Sequence, residues 1–294
     1  MSILLTGATG MFGGAVLKAL REKDKTVRIR AVARNLESIK NSELGDIPGV
    51  DWVYADFWKT ETLDQALDGI ERAFMVTPMS SELDVMEINF INAAKRKNVK
   101  KLYKLFGAVD HKGKDPIGIM HDRSVNYLKN SGLAWTLISP NSVMETCFLN
   151  PMALENFKQD LAMYCCSGHH KIGFVALEDV ALASAHLMIS NHQDYQNYQF
   201  TGPQALDYFE VANIFSKVLG ETVQYVDFSV HDFKEILIKA TGMVAEEVEL
   251  QIMCHCRAWS EDRADLVTDT YKNITHNFST SLESWVNKHR GIFL

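Results

Sequence analysis

The stretch Leu4-Leu5-Thr6-Gly7-Ala8-Thr9-Gly10-Met11-Phe12-Gly13-Gly14 decides the fold of this chain. Its glycines have the spacing G-x-x-G-x-x-G, and they stand between a short apolar run and an amphipathic helical pattern. In such a loop the first glycine permits a tight turn, the second lets the backbone approach a pyrophosphate, and the third lets helix and strand pack closely. The N-terminus of that helix presents free N–H groups and the positive end of its dipole to phosphates. The context therefore favours a dinucleotide-binding βαβ unit over a glycine turn that only joins two elements.

Strand and helix patterns continue to alternate after this loop. The alternation predicts strands at Val27–Ala33, Val50–Ala55, Ala73–Thr77, Leu102–Phe106 and Trp135–Ile138. Apolar stripes predict helices between them, most clearly at Leu83–Arg96 and His121–Lys129. This order of elements implies right-handed βαβ units and a parallel sheet. Farther along, the patterns predict a helix at Glu178–Ser190, a strand at Tyr198–Thr201, a helix at Asp207–Leu219 and mostly helical structure from His231 onward.

The predicted fold is therefore α/β, a Rossmann-type doubly wound parallel sheet with a small, mostly helical C-terminal lobe. Residues 1–150 are predicted to form the dinucleotide-binding core, and residues 151–294 a smaller lobe for a substrate or a partner. This prediction allows later strands, near residues 172–202, to return to the same sheet. A chain of 294 residues buries enough apolar surface to fold without disulfides or structural metals.

Composition and charge narrow the classes of partner. The net charge is −7, which argues against nucleic acid or an anionic membrane surface as the main partner. No apolar run of about 18 residues occurs, so no membrane span is predicted. The first residues lack the charged start of a signal peptide, and the cysteine count is five, an odd number. Together these features predict a cytoplasmic protein with free thiols.

Two cysteine-containing segments are candidates for a metal site. They are Cys165-Cys166-Ser167-Gly168-His169-His170 and Cys254-His255-Cys256. Thiolate and imidazole are ligands that zinc prefers. Neither segment has the C-x-x-C spacing of a closed zinc site, and helical residues two positions apart do not share a face. The spacing therefore predicts buried thiols and no metal.

The residues after the second predicted strand, Ala33-Arg34-Asn35, indicate which nucleotide binds. A carboxylate there would accept a hydrogen bond from the adenosine ribose 2′-hydroxyl and would favour NAD. Arg34 stands there instead, and a guanidinium suits a 2′-phosphate. We therefore predict NADP(H) in preference to NAD(H), against the alternative of a solvated arginine at the end of a strand.

Other candidate cofactor contacts follow the ends of the predicted strands, where ligands of such sheets bind. Asp56 would accept from the adenine amino group with Phe57 near the ring, unless Asp56 is an ordinary loop residue before a helix. Thr77, Pro78 and Met79 would lie over the pyrophosphate and the nicotinamide ribose. With Asn141 at the nicotinamide end, the predicted set is Gly7, Thr9, Gly10, Met11, Phe12, Gly13, Arg34, Asn35, Asp56, Phe57, Thr77, Pro78, Met79 and Asn141.

These motifs resemble those of a known family. Three segments are similar to motifs of the NmrA-like group of atypical short-chain dehydrogenase/reductases. They are Leu5-Thr6-Gly7-Ala8-Thr9-Gly10-x-x-Gly13, Val32-Ala33-Arg34-Asn35 and Asp56-Phe57. Similarity continues at Gly132–Pro140 and in the segments Leu177–Ala181 and Tyr198–Gly202. The resemblance implies that quinone reductases, triphenylmethane-dye reductases and redox-sensing regulators are relatives of this chain.

The chain departs from the catalytic pattern of the wider family. Catalytic short-chain dehydrogenases use a Tyr-x-x-x-Lys pair, in which the lysine helps the tyrosine to transfer a proton. None of the 9 tyrosines here has a lysine four residues later. His121 falls near the position of that lysine, and we take it as the candidate catalytic group, against the alternative of a solvent-facing histidine at a helix start.

Because the Tyr-x-x-x-Lys pair is missing, two functions from different classes remain open for this chain. The first is an oxidoreductase that passes hydride directly from NADPH to a small, electron-poor acceptor such as a quinone, with protons from water. The second is a non-catalytic NADP(H)-binding redox sensor of the NmrA type that acts through a regulatory protein partner. A sugar-nucleotide epimerase is disfavoured because it needs the tyrosine base. The side chains that could line an acceptor cavity, although core packing explains them equally well, are Phe148, Met152, Phe157, Met163 and Tyr164.

Overall fold

The computed structural model describes residues 1–40, 42–107, 109, 115–190 and 192–294. The strands are β1 (Ser2–Leu5), β2 (Arg28–Ala33), β3 (Val50–Tyr54), β4 (Arg72–Met75), β5 (Lys101–Leu105), β6 (Ala134–Pro140), β7 (Ser142–Val143), β8 (Ala162–Cys165), β9 (Ile172–Val175), β10 (Gln196–Phe200), β11 (Ala205–Leu206) and β12 (Gln224–Asp227). The helices are α1 (Met11–Lys23), α2 (Leu36–Lys40), α3 (Thr60–Ala66), α4 (Leu83–Arg96), α5 (Pro116–Lys129), α6 (Met144–Phe148), α7 (Pro151–Asp160), α8 (Leu177–Ile189), α9 (Tyr208–Leu219), α10 (Val230–Thr241), α11 (Ala245–Val248), α12 (Cys254–Ser260), α13 (Thr270–Thr275) and α14 (Leu282–Phe293), with a π-helical turn at Glu249–Met253. Among the described residues, none of these helices has both the length and the apolar character that a bilayer crossing requires.

The main sheet has seven strands in the order β10-β6-β5-β4-β1-β2-β3. The strand pairs from β6 to β3 are parallel, and Leu5 of β1 is in register with Ala31 of β2 and with Phe74 of β4. The chain runs outward from β1 to β3 and then crosses to β4 on the other side of β1. This reversal opens a crevice at the carboxyl ends of β1 and β4, where open α/β sheets bind their ligands. The Rossmann-type sheet predicted from the sequence is confirmed.

The described chain forms two compact units. The first consists of residues 1–106, 119–139 and 180–198, and the second of residues 107–118, 140–179 and 199–294. The sequence predicted one change at residue 150 with a return near 172–202, whereas the chain here changes unit repeatedly. Strand β10 is one reason, since its hydrogen bonds to β6 bring a late segment to the edge of the main sheet.

The core of the first unit is built from apolar strands that are covered on both faces. Ile3, Leu4 and Leu5 of β1 are fully buried, which is the pattern of a central parallel strand. Helix α4 adds Phe90 and Ile91, which are also fully buried. The bounds predicted for α4 are confirmed at both ends, because its apolar residues recur at helical spacing along its length.

The core of the second unit is largely aromatic. Phe148 of α6 lies at its centre, with the ring centroids of Phe174, Phe215 and Trp285 at 5.3, 5.4 and 5.8 Å. Tilted and edge-on rings at these separations stabilise a core beyond the area that they bury. This unit also contains most of the later helices, as the sequence predicted.

Most of the short strands of the second unit were not predicted, and β9, which lies in the range 172–202, does not rejoin the main sheet. The short strands form a three-stranded sheet, β11-β9-β7, and a two-stranded sheet, β12-β8. Strands of two to four residues show too little alternation to be recognised alone. By contrast, α9 is marked locally: Asp207 and Glu210 form a capping box at its start, and Gly220 ends it in the left-handed region.

Candidate functional site

The glycine loop between β1 and α1 requires glycine at two of its positions. Gly7 has a φ of +61°, in the left-handed region that glycine adopts without strain. A Cβ added to Gly13 would lie 2.2 Å from the carbonyl oxygen of Gly7, so no larger residue fits there. The N–H of Gly10 donates to the same oxygen at 2.9 Å and closes the turn. The loop therefore has the tight turn and the close packing of helix on strand that its sequence predicted.

The first turn of α1 is open to an anion. Gly10 precedes the helix in an extended conformation, and no side chain in the described structure caps it. The first turn contains no acidic residue. Thr9 and Met11 are exposed, and Phe12 is half-buried. Since the first N–H groups of a helix need partners from outside it, this end can hold phosphate oxygens.

Arg34 follows directly after β2, the strand beside β1, and is exposed. Within the described part of the chain, its guanidinium makes no hydrogen bond or ion pair. Asn35 differs, because its Oδ1 accepts from the N–H groups of Glu37 at 3.0 Å and Ser38 at 3.2 Å and thereby caps α2. Arg34 is thus available for a ligand, while the oxygen of Asn35 already has a structural role.

Asp56 and Phe57 follow β3 and are half-buried. The Oδ1 of Asp56 accepts from the N–H of Trp58 at 2.9 Å, which is an Asx turn before α3. The ring of Phe57 lies 5.8 Å from that of Phe90, and its carbonyl accepts from Asn89 Nδ2 at 3.1 Å. Both residues stand at the predicted edge of the sheet, and their contact with an adenine stays a prediction.

Thr77, Pro78 and Met79 follow β4 and reach the crevice side of the sheet. Pro78 and Met79 are exposed, Met79 by 39%. Thr77 is half-buried, and its hydroxyl donates to Glu87 Oε1 at 2.9 Å. This hydrogen bond links the predicted nicotinamide side of the crevice to a set of buried charges.

Glu87, Lys104 and His121 form this set, which we name the Glu87–Lys104–His121 cluster. Lys104 Nζ lies 2.6 Å from Glu87 Oε1, and the two side chains are 0% and 1% exposed. Lys104 Nζ also lies 3.3 Å from Nδ1 of His121, which is half-buried. The ring of Phe106 meets His121 edge-on at 5.2 Å between centroids. Helix α4, strand β5 and helix α5 each contribute one member of the cluster.

The chemistry of these groups assigns the hydrogen-bond roles. An ammonium has only donors, so Nδ1 of His121 accepts from Lys104, and the proton of the neutral imidazole then resides on Nε2. Glu87 holds the ammonium through Oε1, while its buried Oε2 has no hydrogen-bond partner among the described groups. The cluster therefore combines a fixed cation with an oriented histidine.

Sequence reasoning selected His121 but missed Glu87 and Lys104. Two signals were present in the sequence. Lys104 shares a strand face with Leu102, in a segment that was predicted to be a strand. Glu87 interrupts the apolar stripe of α4 beside Met86. Opposite charges at core positions of two adjacent elements indicate a buried ion pair.

Asn141 lies in the second unit and is buried. Its Nδ2 donates to the carbonyl of Ala264 at 3.0 Å, and its Oδ1 accepts from the hydroxyl of Ser142 at 3.3 Å. Both ends of the amide are therefore engaged within this unit. Contact between Asn141 and a nicotinamide stays a prediction.

The second unit contains an apolar cavity of about 300 Å³. The structure brings all of the side chains suggested for an acceptor cavity to its wall, namely Phe148, Met152, Phe157, Met163 and Tyr164. Cys147 and Phe293 also line it. A cavity of this size and character suits a small apolar molecule.

The sheet and the glycine loop define a Rossmann-type α/β protein whose open helix end faces the crevice of the sheet. A model of the NmrA-like family matches residues 1–266, and the chain belongs to this family. An NAD(P)H azoreductase from Xenophilus azovorans is 27% identical over 297 residues, with 99% of each chain covered. The resemblance inferred from the motifs is confirmed.

Solved structures show the same fold. Triphenylmethane reductase from Citrobacter sp. is 23% identical, with a TM-score of 0.84 and 100% of both chains covered. An NADPH-dependent quinone oxidoreductase from Escherichia coli, solved with NADPH, is 22% identical with a TM-score of 0.86, over 98% of this chain and 99% of that one. At these identities the likeness establishes the architecture.

Proposed function

We propose that this protein is an NADPH-dependent reductase that passes hydride directly to a small, electron-poor acceptor such as a quinone. One observation carries the proposal: the first unit holds both an open phosphate cradle and the Glu87–Lys104–His121 cluster along the same edge of its sheet. Relatives that include an NAD(P)H azoreductase and an NADPH-dependent quinone oxidoreductase support this class of reaction.

The residues present fit a dinucleotide. Gly10, the second glycine of the loop, is exposed and has no side chain, so the backbone there is accessible to a pyrophosphate. The uncapped start of α1 supplies N–H donors for its oxygens. Arg34, exposed and unpaired among the described residues, supplies the charge that a 2′-phosphate requires. The loop and the helix start suit either nucleotide, and Arg34 supports NADP(H) over NAD(H).

The Glu87–Lys104–His121 cluster takes over part of the role of the missing Tyr-x-x-x-Lys pair in this proposal. When bound, NADPH supplies the hydride, and reduction of a quinone to its hydroquinone consumes one further proton. His121 donates that proton from Nε2 to the acceptor oxygen while its Nδ1 takes a proton from the Lys104 ammonium, and water then restores the proton. Lys104 thus relays the proton and holds the tautomer in which Nδ1 accepts, and Glu87 is a positioning residue, since it holds Lys104 in place.

A single-turnover experiment tests the function. The protein is loaded with one equivalent of NADPH, menadione is added in excess, and nicotinamide absorbance is followed against a control without protein. We expect a protein-dependent decay. A stably bound NADPH that menadione does not discharge would overturn the reductase and favour the sensor of the NmrA type.

Variants of His121 test the assigned role. We expect His121→Gln to slow the decay by about 10²-fold, the usual contribution of a general acid, with little change in NADPH affinity. His192→Gln is the matched control, because His192 is a half-buried histidine of the same unit outside the cluster. An unchanged rate in His121→Gln would leave solvent as the proton source.

A further inference from the structure

Three cysteines that are scattered in the sequence converge in the second unit. The sulfur atoms of Cys165, Cys166 and Cys256 all lie within 4.8 Å of one another. The three residues are buried, with exposures of 2%, 4% and 4%. Spacing along the chain predicted no metal site, because no single segment holds a ligand set. The structure brings β8 and α12 together and places three soft ligand atoms around one point.

The backbone conformation explains how the sulfur atoms of two adjacent cysteines come to lie in the same place. Successive side chains of a strand point to opposite faces. Strand β8 ends at Cys165, and the chain bends at Cys166 before a turn in which Gly168 has a φ of +56°. The change of direction lets both sulfur atoms face the same side, toward Cys256 of α12.

The other two cysteines do not share this arrangement. The thiol of Cys254 donates to the carbonyl of Leu250 at 3.1 Å, and Cys147 lines the apolar cavity. Burial of cysteine as a small apolar residue accounts for these two. It does not account for three sulfur atoms that all lie within 4.8 Å of one another.

The surroundings leave the cluster open to a positive ion. Arg257, on the same helix as Cys256, is already engaged by Glu249, with contacts of 2.8 and 3.0 Å to its two carboxylate oxygens. Cysteine binds a metal as its thiolate, and a bound positive ion stabilises that charge in a buried site.

The number and the softness of the ligands select the ion. Thiolates prefer soft ions such as Cu(I) and zinc. Zinc in a closed site takes four ligands, and the part of the chain that the structure describes offers three here. Three sulfur atoms at about 2.3 Å from a trigonal centre stand roughly 4 Å apart, so closing on an ion requires shifts of less than about 1 Å. We propose that Cys165, Cys166 and Cys256 form a buried site for a soft metal ion of low coordination number, with Cu(I) as its representative.

Anaerobic competition with a coloured Cu(I) chelator tests this site. The reduced full-length protein is titrated against the Cu(I)–bicinchoninate complex, and the loss of chelator colour gives the amount of Cu(I) taken up. We expect one equivalent to be withdrawn, with release of the thiol protons and a new sulfur-to-copper absorption band in the near ultraviolet. Cys256→Ser and Cys166→Ser should each weaken binding by at least about tenfold.

Cys254→Ser is the matched control, because Cys254 is a buried thiol of α12 that lies outside the cluster. It should bind Cu(I) as the unaltered chain does. Thermal unfolding with and without Cu(I) separates loss of the site from loss of the fold: Cu(I) should raise the Tm of the control but not that of Cys256→Ser. The proposal is overturned if the unaltered chain withdraws no Cu(I), if all variants lose affinity equally, or if Zn(II) displaces Cu(I).

Discussion

Breaking the buried ion pair between Glu87 and Lys104 is the most direct test of how the first unit is built. The two charged atoms are 2.6 Å apart, and the side chains are 1% and 0% exposed. Moving such charges out of water costs several kcal/mol each, and their attraction offsets this cost only while both are present. Glu87 Oε2 already lacks a partner among the described residues, so a lone carboxylate would be poorly compensated.

We expect Lys104→Met alone to lower the free energy of unfolding by about 3–5 kcal/mol, the usual cost of removing one partner of a buried pair. Glu87→Met alone should cost a similar amount, because it leaves a buried ammonium without a negative charge beside it. The two acceptors that remain, the Leu105 carbonyl and the His121 imidazole, are neutral. The double variant should cost less than either single variant, because the two charges leave together and methionine fills the space.

Urea unfolding of the four proteins at neutral pH gives a double-mutant cycle for this pair. The control pair is Asp64 with Arg96, which lie 2.8 Å apart at the surface with exposures of 34% and 47%. Its interaction should be worth at most about 1 kcal/mol. If the single variants of Glu87 and Lys104 cost less than about 1 kcal/mol, or if their costs simply add, the reasoning about the buried pair is refuted.

Three further predictions concern the cofactor and the response to pH. Arg34→Ala should weaken NADPH binding by about 2–3 kcal/mol, the value of a charged hydrogen bond, and should leave NADH binding nearly unchanged in calorimetric titrations. Gly13→Ala should abolish NADPH binding and lower the Tm, because the new Cβ would lie 2.2 Å from a backbone oxygen of the loop. Burial raises the pKa of Glu249, but hydrogen bonds from Lys234 and Arg257 outweigh it and hold the pKa below its usual value. This carboxylate therefore stabilises the fold above its unfolded pKa and loses that effect as the pH falls through its folded pKa. Glu249→Gln should cost about 1 kcal/mol in urea unfolding at neutral pH and little in strong acid.

Each of these variants has a matched control in the chain. Arg28→Ala alters an exposed arginine at the opposite end of β2 and should affect neither nucleotide. At Gly14 a Cβ would lie 3.2 Å from the nearest oxygen, so Gly14→Ala should be milder than Gly13→Ala. Glu246→Gln alters an exposed carboxylate near Glu249. Equal losses of NADPH and NADH in Arg34→Ala, or a cost in Glu249→Gln that grows in acid, would contradict the assigned roles.

Local signals explain why much of the first unit was predictable. The spacing of Gly7, Gly10 and Gly13 depends on backbone geometry within one turn, and the structure shows the positive φ and the close approach that this geometry requires. The bounds of α4 follow from an apolar stripe that repeats over its whole length. The alternation of strands and helices predicted a parallel sheet, and the strand pairs from β6 to β3 are parallel.

The sequence by itself determined the Rossmann-type sheet, the open start of α1 and the position of Arg34 after β2, because each depends on residues that are neighbours along the chain. Only the tertiary structure decided that Lys104 pairs with Glu87 and His121, and that Cys256 joins Cys165 and Cys166. These groups come from separate helices and strands, and their meeting depends on which faces pack together. The physical reason is that an unpaired polar group is unfavourable in a low-dielectric core, so buried polar groups pair with one another. The sequence shows that such a group needs a partner, but not which residue supplies it.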